Sequence, residues 1–115
     1  MFKRVIPKFP AANIENAVAF YEQRLQFKRR YVVEDYGIAS REDFEVQFWL
    51  CADKRIAEHT GVRVEVEGVE RLFAECTSAG IIHPNDPLHK TDYHTHEFSV
   101  LDLDGNLITF FEQLG

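Results

Sequence analysis

Apolar positions recur at helical spacing twice along this chain and alternate in strand fashion through most of the rest. Ile14, Ala17, Val18, Tyr21 and Leu25 lie on one face of a 3.6-residue repeat. Asn13, just ahead of them, has the side chain of an N-cap. The spacing predicts a helix over residues 14–25. A second stripe, Val69, Leu72, Phe73 and Cys76, predicts another that stops at Gly80, a candidate C-cap. Strands are expected at Val5–Phe9, Arg29–Glu34, Ile38–Arg41, Glu45–Cys51 and Val62–Val66, with turns at Asp35-Tyr36-Gly37 and Glu42-Asp43. Within Glu45–Cys51, Val46, Phe48 and Leu50 share one face, and Glu45, Gln47, Trp49 and Cys51 the other. Ile82–Asp92, polar and holding Pro84 and Pro87, reads as a long loop.

The two halves repeat. At one fixed offset Asn13-Ile14-Glu15 aligns with Gly68-Val69-Glu70, Ala17 with Leu72, Val18 with Phe73 and Phe27 with Ile82. At a slightly longer offset Gln47-Phe48-Trp49 aligns with Thr109-Phe110-Phe111. The fold class is therefore α+β: two tandem βαβββ modules, about residues 1–55 and 60–115, in one domain spanning 1–115.

Glu97–Glu112, EFSVLDLDGNLITFFE, carries two aspartates that invite a calcium reading. A calcium loop needs oxygen ligands at positions 1, 3 and 5, glycine at 6 and glutamate at 12. Counting from Asp102 puts Leu107 at position 6 and Gln113 at 12, and setting Gly105 at position 6 puts Val100 at position 1. Both registers fail. A hairpin works: Gly105-Asn106 takes the positive φ angles of a tight turn, and Asp102 and Asp104 bond nearby N–H groups.

Composition narrows the partners. A net charge of -6 argues against nucleic acid. No apolar run approaches a membrane span, and the first ten residues hold no apolar signal segment. Cys51 and Cys76 form no C-x-x-C pair and read as small buried hydrophobes. The expectation is a cytoplasmic protein without membrane or nucleic-acid partners. Ser40, Ser78 and Ser99 stand in no nucleophile motif, and no glycine-rich phosphate loop is present.

The segment Asn13–Tyr21, NIENAVAFY, taken together with Phe98–Phe110, FSVLDLDGNLITF, resembles the glyoxalase/bleomycin-resistance proteins of the vicinal oxygen chelate superfamily. The resemblance covers essentially the whole chain. It implies two βαβββ modules forming a cupped sheet, and a homodimer, often with modules exchanged between chains. Enzymes of the superfamily hold a divalent metal with one residue from each of four strands. By register those places fall here on Pro7, Gln47, Gly61 and Thr109. Proline and glycine carry no ligand, threonine is poor, and one glutamine does not hold a metal. The closer resemblance is thus to the bleomycin-resistance branch, whose members bind a cationic antibiotic in a cleft of the dimer without catalysis. It implies no metal, no cofactor, and a small-molecule ligand that is aromatic and cationic. The alternative is a glyoxalase-like lyase or dioxygenase acting on a small metabolite with unorthodox metal ligands.

The resemblance places cleft aromatics near Tyr31, Tyr36 and Tyr93. Strand parity with the former metal places adds Phe9, Gln47, Trp49 and Phe111, with Thr109 itself, and Arg63 and Glu65 share a face with Gly61. Two readings stand for Trp49 and Phe111: stacking a planar ligand, or filling the cup or the dimer interface. Tyr36 and Tyr93 read as ligand hydrogen-bonders or as turn and loop surface, and Arg63–Glu65 as cleft residues or as a solvated pair. His94 and His96, with His89 and Asp92, are an improvised zinc or nickel set or solvated loop histidines, and His59 approaches the Gly61 place only if the register slips.

Overall fold

Two four-stranded sheets, one from each half of the chain, make up the fold in the computed structural model, which describes residues 1–115. The first half runs β1 (Lys8–Ala11), α1 (Ile14–Leu25), β2 (Lys28–Val33), β3 (Tyr36–Arg41) and β4 (Phe44–Leu50). After the short α2 (Lys54–Ala57), the second half runs β5 (Gly61–Glu65), α3 (Val69–Ala79), β6 (His89–Lys90), β7 (Thr95–Leu101) and β8 (Leu107–Gln113). Strand order is β1-β4-β3-β2 in one sheet and β5-β8-β7-β6 in the other. In each, the first strand pairs in parallel with the last and the rest is antiparallel. The expected βαβββ repeat is therefore present twice.

Each long helix forms where its apolar stripe predicts and lies on one face of its own sheet. Asn13 caps α1, its side chain accepting from the Asn16 N–H at 2.8 Å. Gly80 ends α3 in the left-handed conformation at φ 73°, as glycine readily does. The N-terminus of α3 has no cap of its own. Glu112, from β8, supplies one: its carboxylate accepts from the Gly68 and Val69 N–H groups at 3.0 and 3.1 Å. Those bonds hold the Glu112 carboxyl below the ordinary glutamate value. Gly37 on β3 lets α1 approach its sheet, since a Cβ there would lie 2.7 Å from Ile14 Cγ2.

One core serves both modules. Phe9, Tyr21, Phe48 and Val46 from the first pack in the same cluster as Phe98, Val100, Ile108 and Cys76 from the second. Each large side chain so buried contributes roughly 1.5–3 kcal/mol. Edge-on contacts of Tyr21 with Phe27 and Phe48, at centroid distances of 5.2 and 5.0 Å, set the aromatic centre. Burial also pushes the Cys76 thiol up to about 12.

The β7–β8 turn clasps the two modules together. Asp102 accepts from the N–H groups of Asp104, Gly105 and Asn106 through one oxygen. Its other oxygen accepts from the buried Tyr21 hydroxyl at 2.9 Å and from Asn106 Nδ2 at 2.9 Å. Asn106 also donates to the Pro10 carbonyl, and Asp104 accepts from the Ala12 N–H. Burial pushes Tyr21 well above the ordinary phenol value, and burial raises Asp102 despite its hydrogen bonds from Asn106 and Tyr21.

The structure corrects several local expectations. The first strand begins at Lys8 and runs to Ala11, through Pro10, instead of spanning Val5–Phe9. Proline is accommodated because β1 is an edge strand. Tyr36 belongs to β3, not to the preceding turn. Within the β7–β8 turn only Gly105 has positive φ, 97°, and Asn106 is wholly buried. Residues 82–92 include the two-residue strand β6.

Candidate functional site

The faces turned away from α1 and α3 carry nearly all the candidate residues, on two separate sheets. On the first sheet, ladder register sets Tyr36 beside Trp49 and Ile38 beside Gln47. Tyr31 lies across from Ile38 and Val33 across from Tyr36, both exposed. These five apolar and aromatic side chains form one patch. A polar row runs alongside: the Tyr36 hydroxyl donates to Gln47 Oε1, and Gln47 Nε2 donates to Glu45 at 2.9 Å. Lys8 closes it, its Nζ 5.9 Å from the centre of the Tyr36 ring.

Phe9 does not belong to this face. It is 1% exposed and pairs with Phe48 on the helix side, while Lys8 pairs with Gln47. A one-residue shift in the register of β1 against β4 accounts for it, because adjacent residues of a strand point to opposite faces. The same shift bears on the former metal places. Lys8, not Pro7, lies across from Gln47, and Arg63, not Gly61, lies across from Thr109. A lysine, an amide, an arginine and a hydroxyl form no ligand set for a divalent ion.

On the second sheet, Arg63, Glu97, Ser99, Thr109 and Phe111 share the free face. The Arg63 guanidinium grips the Glu97 carboxylate with two bonds, of 3.1 and 3.4 Å. It lies 4.5 Å from the Phe111 ring centre and 5.7 Å from that of Tyr93. Thr95 and Tyr93 also donate to Glu97, at 2.7 and 3.1 Å. Burial alone would push the Glu97 carboxyl up. Bonds from Arg63, Thr95 and Tyr93 outweigh burial and hold it below the ordinary glutamate value. Thr109 is nearly buried and shares a hydroxyl bond with Ser99 at 2.7 Å, while Ser99 donates to Asp86. Glu65 lies across from Phe111, at the exposed edge.

The histidines do not converge. His94 sits in a turn with φ 66°, and His96 points toward α3, 3.9 Å from Glu70. His89 lies 3.5 Å from Asp86, and His59 bonds the Arg55 carbonyl. Cys51 follows β4 and leans toward the Asp53 carbonyl instead of into the face. A cleft of about 860 Å³ lies between the modules beside β5 and shares only Arg63 and Glu65 with the candidates. Its lining mixes Phe27, Phe44 and Leu72 with the Arg41–Glu75 ion pair, which bridges the modules at 2.6 Å. Sequence reasoning missed Lys8, Glu97 and Asp86. The alternation of Glu97 with Ser99 signals the second. Only the true start of β1 and the path of the 82–92 segment reveal the others.

This architecture is the fold of the glyoxalase/bleomycin-resistance proteins. It superposes on a glyoxalase-related enzyme from Clostridium phytofermentans with a TM-score of 0.78 at 16% identity, covering 99% of this chain and 97% of that one. Within that class the resemblance is to the bleomycin-resistance branch. The bleomycin resistance protein of Geobacillus stearothermophilus is 27% identical over 95% of this chain and 96% of its own. The bleomycin-binding protein of bleomycin-producing Streptomyces verticillus, in complex with copper(II)-bleomycin, superposes with a TM-score of 0.86 at 22% identity, covering 100% of this chain and 98% of that one. No family model matches the chain. No helix is long and apolar enough to cross a membrane.

Proposed function

We propose that this protein is a small-molecule binding protein that sequesters an antibiotic of the bleomycin type, or a related ligand, in a cleft of a homodimer. The observation that carries the reading is the aromatic patch of the first sheet, on a chain similar almost end to end to bleomycin resistance proteins. Tyr31, Tyr36 and Trp49 offer ring faces to a planar heteroaromatic group, and Gln47 offers hydrogen bonds. In the dimer, the first sheet of one chain faces the second sheet of its partner, so that Arg63, Glu65, Tyr93, Thr109 and Phe111 form the opposite wall. The modules, residues 1–55 and 60–115, act as one domain on each side of that cleft. The mechanism is stoichiometric capture in the cytoplasm, where Cys51 and Cys76 stay reduced.

Trp49 is the only tryptophan and stands within the patch, so it reports binding directly. Titration with metal-free bleomycin quenches its fluorescence and saturates at one drug per cleft. Sedimentation of the same sample gives a dimer. Unchanged fluorescence at high micromolar drug would rule out the bleomycin-type ligand.

A further inference from the structure

We infer that Glu97, Phe111 and Tyr93 form a cation subsite that the free protein fills with its own Arg63 and yields to the planar cation of a bound ligand. The inference rests on the drug-binding reading for the identity of the ligand, but the subsite has its own geometry. A buried carboxylate flanked by two ring faces suits a guanidinium: two hydrogen bonds in the plane, and π-density against the flat surfaces. The Glu97 side chain is 6% exposed, whereas that of Arg63 is 46% exposed and comes from the edge strand β5. The two bonds, 3.1 and 3.4 Å, are longer than the 2.7–2.9 Å usual for such pairs.

Glu97 and Phe111 do not depend on Arg63 for their positions. Thr95 fixes Glu97 Oε1 at 2.7 Å and Tyr93 fixes Oε2 at 3.1 Å. Phe111 is held in the centre of the ladder between β5 and β7. Arg63 can therefore swing toward solvent and leave a shaped, negatively charged box. A ligand lacking a cation gains nothing from that exchange, since it would leave Glu97 buried and unpaired. The subsite thus favours ligands with a terminal guanidinium or amine over neutral or acidic ones.

Chemical rescue tests the box without any drug. Arg63→Ala empties it, and free guanidinium should then raise the Tm by about 5 °C, saturably, at about tenfold above its dissociation constant. Equal urea, a neutral isostere, should not, and neither cation nor urea should stabilise the wild type. A variant that folds only with guanidinium present counts equally as rescue. One that responds alike to guanidinium and urea, folded or not, overturns the inference. A second arm compares bleomycin bearing a cationic terminal amine with its terminal-acid form, both read by Trp49 quenching. The wild type should prefer the amine form by about tenfold or more, and Glu97→Gln should erase the preference. Equal affinity for both forms in the wild type would also overturn it. If neither form binds, the drug reading fails, and the guanidinium result alone decides the subsite.

Discussion

Replacing Tyr21 with phenylalanine isolates the hydroxyl that joins the two modules. The ring keeps its edge-on contacts with Phe27 and Phe48, so packing is unchanged to first order. What is lost is one buried hydrogen bond, 2.9 Å long, to the Asp102 carboxylate. Four other donors, three of them backbone N–H groups, still bond the Asp102 carboxyl, whose oxygens act only as acceptors in these contacts. A bond to a charged acceptor contributes about 1.5–3 kcal/mol, and the donors that remain argue for the middle of that range, about 2 kcal/mol. For 115 residues the unfolding entropy is roughly 0.24 kcal/mol/K, so the melting temperature should fall by about 8 °C. Thermal melts by circular dichroism at pH 7 measure this, and urea titration should show a lower midpoint at an unchanged slope. The same substitution in an Asp102→Asn background should cost at least about 1 kcal/mol less, since the pair is then already weakened. A fall of less than about 2 °C, or an equal cost in both backgrounds, would refute the assignment of the clasp energy to this bond.

Gly37→Ala should destabilise by about 1–3 kcal/mol in urea titration, because its Cβ would press on Ile14 and Val18. Glu112→Gln tests the borrowed helix cap. The Glu112 carboxyl is held below its ordinary 4.5 by the Gly68 and Val69 N–H groups, so its contribution is present above that pH and lost as pH falls through the folded value. Melting curves should therefore show wild type above the variant at pH 7, with the gap closing below about pH 4.5; a gap that does not change with pH would count against the cap. An aromatic disulfide reagent should label half-buried Cys51 in the native protein but reach Cys76 only on unfolding, with absorbance change as the readout.

How much of this was legible in the sequence depended on the length and continuity of each pattern. The helix at 14–25 matched its stripe to the residue, because five apolar positions and a capping asparagine all agreed. The four-residue α2 is too short to show a period. The first strand was expected to end at Phe9 but runs on through Pro10 to Ala11, which an edge strand tolerates. A one-residue slip in its expected pairing with β4 turned Phe9 the wrong way and hid Lys8. On β4, clean alternation put Gln47 and Trp49 on the correct face. The Arg63–Glu97–Phe111 group was only half visible. Its members lie on three strands, and their meeting depends on ladder register, which no local pattern records. The hairpin reading of Asp102–Asn106 was right about the turn but silent on its reach. Asp102 also explains why the two resembling segments belong together: Tyr21 closes the first and donates to the aspartate in the second.

That clasp also sets the order in which the chain can finish folding during synthesis. The first module leaves the ribosome long before Asp102, which is 81 positions beyond Tyr21. Until then the Tyr21 hydroxyl has no acceptor, the Pro10 carbonyl no donor from Asn106, and the Ala12 N–H no Asp104. Burying them early would cost about 1–3 kcal/mol for each unmet group, so the nascent first module is held short of its final packing. The partners of all three groups arrive in one late turn.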